Sequence, residues 1–168
     1  QFAGGALWVA DEFGPFLIKA DLNGKVLAVF ETLVDGKLVR SPDHPAVIMP
    51  SVPTASTPFQ VRRSKGYEGM AVSKDGSKLY ALLEGALWDE QAKAYEMLEG
   101  KQYLRILEFD VMTNQWTGRH WKYVMEANHH AIGDFNMVDE STALIIERDN
   151  GEGLPSRACT EGKKTDCF

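Results

Sequence analysis

The sequence predicts an all-β protein, and its loose internal repeats favour a partial β-propeller of about two to three four-stranded blades with one short helical insert. Three observations carry this. Short runs of β-branched, aromatic and alternating residues recur while long helical periodicity is scarce. Turn signals separate those runs. Three segments also resemble one another: Leu7 to Glu12, Tyr67 to Val72 with its hairpin, and Ile132 to Val138 with Leu144 to Glu147.

The strands follow from the turns. Met70 to Val72 and Leu79 to Leu83 flank Ser73 to Lys78, where Asp75-Gly76 supplies the positive φ angles that a tight reversal needs. Similar reversals stand at Asp21 to Lys25, Val34 to Lys37, Asp110 to Gln115 and Asp139 to Thr142. Five such turns imply about ten short strands. Two stretches break the pattern. Residues 41 to 65 carry five prolines, which cannot donate to a sheet ladder, so this reads as a long connection across one end of the fold. From Trp88 to Glu99 good helix formers run up to Gly100, which predicts a helical insert of about three turns.

Strands of this kind close into a sandwich, a barrel or a propeller, and repetition separates them. Glu12 and Glu68 lie 56 positions apart and Glu68 and Asp134 lie 66 apart. With inserts, that spacing accommodates a blade of roughly 40 to 50 residues.

Composition narrows the function classes. The 168 residues are 44% hydrophobic, ordinary for one globular domain, and carry a formal charge of −6. This balance argues against a nucleic-acid surface, since the one basic knot is Arg62-Arg63 with Lys65. No apolar run approaches the roughly 20 residues that span a bilayer, so no membrane span is expected. Cys159 and Cys167 sit in a polar tail over residues 152 to 168, where their spacing suits a small disulfide loop in an oxidising compartment. Two free thiols or half of a metal site are the alternatives.

The chemistry-bearing residues cluster at predicted strand ends. In Asp11-Glu12 the two carboxylates point oppositely, so Glu12 is expected to face a site while Asp11 braces a turn. Glu68 and Asp134 each stand beside a glycine, and His129-His130 lies just upstream of Asp134. Glu147-Arg148-Asp149 closes a very apolar strand, where buried charge must be paired or bound to a cation. One account is an internal ion-pair network around Arg148. The other is a hard-cation site of the Ca²⁺ type, fed by carboxylates from separate strands, with Arg148 gripping a phosphate or carboxylate. His130 is the histidine suited to acid or base work. No Gly-x-Ser-x-Gly elbow marks a serine nucleophile.

Taken in order, Trp8 to Pro15, Tyr67 to Gly76, Leu104 to Asp110, and Ile132 to Phe135 with Ile146 to Gly151 resemble the phytase-like family with esterase-like activity. The resemblance spans about Leu7 to Gly151. It implies a β-propeller, an exported protein of periplasmic or secreted location, and a phosphoesterase activity; combined with the hard-cation reading of the carboxylates, the expectation is hydrolysis of phosphate or carboxylate esters at an acidic channel holding Ca²⁺. The motif carboxylates carried over are Asp11, Glu12, Glu68, Asp134, Glu147 and Asp149, with Arg148 beside them. Joined to the reading of the residues, this makes Asp11, Glu12, Glu68, Asp134 and Glu147 the candidate metal ligands and His130, Arg148 and Asp149 the candidate catalytic residues. A non-catalytic, cation-stabilised binding module and a lactonase-type metal hydrolase are the alternatives. Because about ten strands make only two to three blades, the chain is expected to be a piece of a longer domain, completed by the remainder of its own propeller or by an oligomer.

Overall fold

The structure, a computed structural model, describes residues 1 to 48 and 59 to 149. All regular structure among these residues is β. In chain order the strands are β1 (Phe2–Ala3), β2 (Ala6–Ala10), β3 (Phe16–Ala20), β4 (Val26–Val34), β5 (Lys37–Val39), β6 (Tyr67–Val72) and β7 (Lys78–Leu83). They continue with β8 (Trp88–Asp89), β9 (Ala94–Tyr95), β10 (Met97–Leu98), β11 (Lys101–Asp110), β12 (Gln115–Val124), β13 (Ala131–Met137) and β14 (Ala143–Arg148).

Two antiparallel sheets dominate. Sheet 1 runs β1-β2-β3-β4-β5, and sheet 2 runs β6-β7-β11-β12, with the short β10 folded back on the start of β11. In both, each principal strand pairs with the one before it in the chain, the short-connection order that low loop-closure cost favours. The β13–β14 hairpin forms a third layer, with β13 packed along β6. None of these sheets closes on itself among the described residues.

The five sequence turns all join successive strands, and local chemistry shows why. Asp21, Asp75, Asp110 and Asp139 each accept hydrogen bonds from backbone amides two to four residues ahead, at 2.8–3.0 Å. The Ser73 hydroxyl at Asp75 and the Lys78 ammonium at Asp110, assisted by these backbone bonds, favour the ionised forms and hold both carboxyls near a pKa of about 2.

The predicted helix over Trp88 to Glu99 does not form. Asp89 accepts from the amides of Gln91 and Ala92 at 2.8 and 3.0 Å, Lys93 takes φ of 52°, and β8 pairs with β9 across that turn. Three turns of isolated helix are marginal without an apolar face to dock. Here Trp88 packs edge-on against Tyr95, Arg62 lies 3.9 Å over the Tyr95 ring, and Glu96 forms a bidentate pair with Arg105 at 2.6 and 2.9 Å. Tertiary contacts with both faces of an extended segment outweigh helix propensity.

Sheet 2 is the middle layer. Successive residues of a strand face opposite sides, and in β7 Leu79, Ala81 and Leu83 face sheet 1 while Leu82 joins the cluster beneath the hairpin. The contact with sheet 1 is aromatic: Trp8, Phe30, Phe109 and Trp116 interlock with ring centroids 5.0–6.0 Å apart. On the other side Ala71, Leu82 and Leu104 pack under Ile132 and Phe135. The outward face of sheet 1 is also apolar, carrying Val9 and Val29 at more than half exposure across from Ile18. Cys159 and Cys167, the tail over residues 152 to 168, and the centre of the proline-rich connection lie outside the described residues.

Candidate functional site

The end of sheet 1 and the start of sheet 2 meet through backbone. The Gly66 amide donates to the Glu12 carbonyl at 2.9 Å and the Tyr67 amide to the Asp11 carbonyl at 3.2 Å. A Cβ at Gly66 would lie 2.2 Å from that carbonyl oxygen, so only glycine permits this approach. The Tyr67 hydroxyl bonds the buried Thr32 hydroxyl at 2.7 Å and ties the junction to β4.

This junction places Glu12 next to Glu68 and brings in Glu84, just past β7. Carboxylate oxygens of all three lie within 4.8 Å of one another. Glu12 is half-buried, Glu68 exposed and Glu84 buried, with Lys65 donating to Glu84 at 2.6 Å. Although Glu68 is exposed overall, partial desolvation of its carboxyl pushes it up, and the negative charges of Glu84 and Glu12 add to that shift. Arg148 and Lys65 oppose it, which places the Arg148 charge within electrostatic reach of the cluster.

The other candidate residues are distributed around this centre. Asp11 spends one oxygen on the Gly14 amide at 2.5 Å, bracing the turn after β2. Asp134 is exposed and accepts from its neighbours, the Phe135 amide at 2.7 Å and the Asn136 side chain at 2.9 Å. Glu147 stands in a separate buried network. It accepts from the Tyr123 hydroxyl at 2.6 Å and the Glu126 amide at 2.9 Å, and pairs with His130 Nδ1 at 2.8 Å. Burial acts to raise the Glu147 carboxyl, but the bonds from Tyr123, His130 and the backbone prevail and hold it below the usual range. Burial raises the Tyr123 phenol, and the Glu147 carboxylate raises it further. The His130 side chain is fully covered. Arg148 and Asp149 follow immediately at the end of β14.

Glu84 is not among the sequence candidates, although it stands beside Gly85 just past the end of β7, the same carboxylate-and-glycine pairing as Glu68 and Asp134. Its signal is positional: Leu79 precedes Glu84 by the same five residues by which Leu7 precedes Glu12.

Chemically, three carboxylates this close form a hard-oxygen donor set, which fits a Ca²⁺-type cation better than a soft metal.

Comparison with known proteins gives the family. The phytase-like family profile, described as esterase-like activity of phytase, matches residues 1–165. The chain belongs to this family. It is similar to an "Uncharacterized secreted protein" of Arthroderma benhamiae, 30% identical over 117 residues. That match covers 64% of this chain and 22% of the relative, so the chain spans about a fifth of the relative's length. A solved structure titled "Structure of U3-55K" aligns over 92% of this chain and 47% of its own, at 14% identity and a TM-score of 0.32. The family points to a hydrolase-like function. The chain has no helix long and apolar enough to cross a membrane among the described residues.

Proposed function

We propose that this phytase-like chain is part of an exported, cation-dependent hydrolase of phosphate or carboxylate esters, and that its stacked sheets are successive blades of a β-propeller. The observation that carries the proposal is the convergence of Glu12, Glu68 and Glu84 with Arg148 in electrostatic reach. The secreted relative supports export. The propeller reading is supported by three layers stacked in chain order, with apolar residues on both faces of sheet 1 as well as of sheet 2.

Each residue has a distinct task in this reading. Glu12, Glu68 and Glu84 would hold a Ca²⁺-type ion, which when bound supplies positive charge to offset the charge developing on the ester. Arg148 orients the phosphate or carboxylate group through its planar pair of donors. Without the ion, partial desolvation and crowding by Glu84 and Glu12 raise the proton affinity of Glu68, and a bound cation would reverse this by favouring the ionised ligand. Lys65 neutralises Glu84 and sets its position.

A second reading, a non-catalytic module stabilised by the cation, draws on the Lys65–Glu84 pair, which already offsets one of the three charges. The two readings separate on p-nitrophenyl phosphate, p-nitrophenyl acetate and a γ-lactone, each assayed with Ca²⁺ and with chelator. The hydrolase reading expects Ca²⁺-dependent turnover that Glu84→Gln lowers by about tenfold or more, a loss of at least ~1.4 kcal/mol of transition-state stabilisation. A Ca²⁺-dependent rise in Tm with no turnover of any substrate would establish the binding module instead. Lactone opening without phosphate release would assign the lactonase class.

A further inference from the structure

We infer that the pocket between the β4–β5 hairpin and the β8–β9 excursion is a binding site for a neutral sugar. It is separate from the cation site, since none of Glu12, Glu68 and Glu84 lines it.

Both walls are fixed by backbone and by a buried ion pair. The excursion is anchored at each end, by the Trp88 amide donating to the Gln60 carbonyl at 2.8 Å and the Glu96 amide donating to the Leu87 carbonyl at 2.8 Å. The facing hairpin reverses at Asp35-Gly36, both at positive φ. Arg105 forms the floor: it is 7% exposed, and its guanidinium is held by the Glu96 carboxylate at 2.6 and 2.9 Å and by the His120 ring. The cavity enclosed is about 410 Å³, and small-ligand pockets commonly measure about 300–1,000 Å³.

The polar lining is two-sided. On the donor side, Gln60 gives its Oε1 to the Arg40 amide at 3.1 Å and leaves its Nε2 group unbonded. The Trp88 indole N–H and the Lys37 ammonium also have no hydrogen-bond partner among the described residues. On the acceptor side, Asp89 caps its own turn with Oδ1 and keeps Oδ2, and Asp35 has its nearest basic groups at 3.7 and 4.0 Å, beyond hydrogen-bond length. Lys37 acts electrostatically on Asp89, so the two sets lie within reach of each other. Beside them Leu38, Leu87 and the Trp88 ring supply apolar surface. A hydroxyl both donates and accepts, so a polyol satisfies both sets at once, and the C–H face of a sugar ring covers the apolar part.

Charge selects a neutral ligand. The lining carries four carboxylates, Asp35, Asp89, Glu90 and Glu96, against Lys37 and Arg105, and the Arg105 charge is already matched by Glu96. A phosphate or carboxylate would be repelled. A quaternary ammonium would engage the carboxylates but leave the Gln60, Trp88 and Lys37 donors against a group that cannot accept, which is unfavourable once water is displaced.

Titration calorimetry of the intact protein with methyl glycosides of glucose, galactose, mannose and N-acetylglucosamine, and with cellobiose and lactose, tests this. At least one of these sugars is expected to bind saturably, equally well with and without chelator, and Trp88→Ala to weaken that binding by about tenfold or more. Since Trp88 also packs on Tyr95, Lys37→Ala serves as a second variant and should weaken binding by about threefold. Trp121→Ala, at a tryptophan outside the pocket, should leave it unchanged. No saturable binding by any sugar of the panel would overturn the proposal. So would affinity for a glucose phosphate or tetramethylammonium equal to or above that for the best sugar. Sugar binding that survives both Trp88→Ala and Lys37→Ala, or that chelator abolishes, would place the sugar elsewhere and overturn it as well. Neither Ca²⁺ binding nor ester hydrolysis enters this readout, so the two proposals fail separately.

Discussion

Glu147 has three partners converging on one carboxylate: the Tyr123 hydroxyl, the Glu126 amide and His130 Nδ1. Hydrogen bonds to a charged acceptor contribute about 1.5–3 kcal/mol each when buried. Replacing Glu147 with Gln keeps the shape and removes the charge, so urea denaturation should show a loss of about 1–3 kcal/mol; an unchanged midpoint would show that the network is neutral to folding. The carboxyl sits below its usual range in the folded chain, so its stabilising contribution is present above the unfolded value near 4.5 and is lost as pH falls through the lower folded value. The wild type should therefore lose more stability than Glu147→Gln between about pH 4.5 and pH 2, a difference thermal melts across that range would read. At Glu68 the direction is opposite, because partial desolvation and two neighbouring carboxylates raise it. Glu68→Gln removes that repulsion, and its Tm without divalent cation is expected to equal or exceed the wild type's, while any Ca²⁺-induced rise in Tm shrinks. A clear drop in cation-free Tm would count against crowding of the three charges.

Among the elements, close backbone approach decides the arrangement at two places. Gly66 lets β6 start against the end of β2, and Gly69 lets β13 lie along β6, where an added Cβ would come 2.7 Å from the Phe135 Cβ. Gly66→Ala meets a backbone carbonyl, which cannot swing aside, and is expected to cost more than about 2 kcal/mol. Gly69→Ala meets a side-chain root and the Phe135 amide, and should push the third layer away from sheet 2; near-native chemical shifts across β13 in that variant would disprove the contact. The Asp-capped turns are local, since carboxylate and amides lie within a few residues. That locality, with the positive φ of Asp35 and Gly36 at the fifth turn, is why all five were legible in the sequence. The segment over Trp88 to Glu99 was misread for the converse reason: its helix formers are overruled by Tyr95, Arg62 and Arg105, partners distant in sequence that no local pattern displays.

On the scale of the whole molecule, apolar surface on both sides of a sheet indicates a layer between two others. Sheet 2 satisfies this with sheet 1 and the hairpin, and the outward row of Val9, Ile18 and Val29 shows the same character on sheet 1. The 168-residue chain alone should consequently self-associate, and Val29→Lys should reduce its apparent mass in light scattering while leaving the β-sheet far-UV signature intact. The sequence alone determined the all-β class, the five reversals, the family resemblance and the presence of carboxylates at strand ends, because alternation, turn residues and motif order are properties of neighbouring positions. Only the tertiary structure decided which carboxylates meet. It joined Glu12 and Glu68 to Glu84, turned Asp134 to solvent and its own neighbours, and placed Glu147 in a buried brace with His130 and Tyr123. Convergence of this kind depends on the register and stacking of strands more than fifty residues apart, set by Gly66 and by the packed aromatic layer, and no one-dimensional spacing contains it.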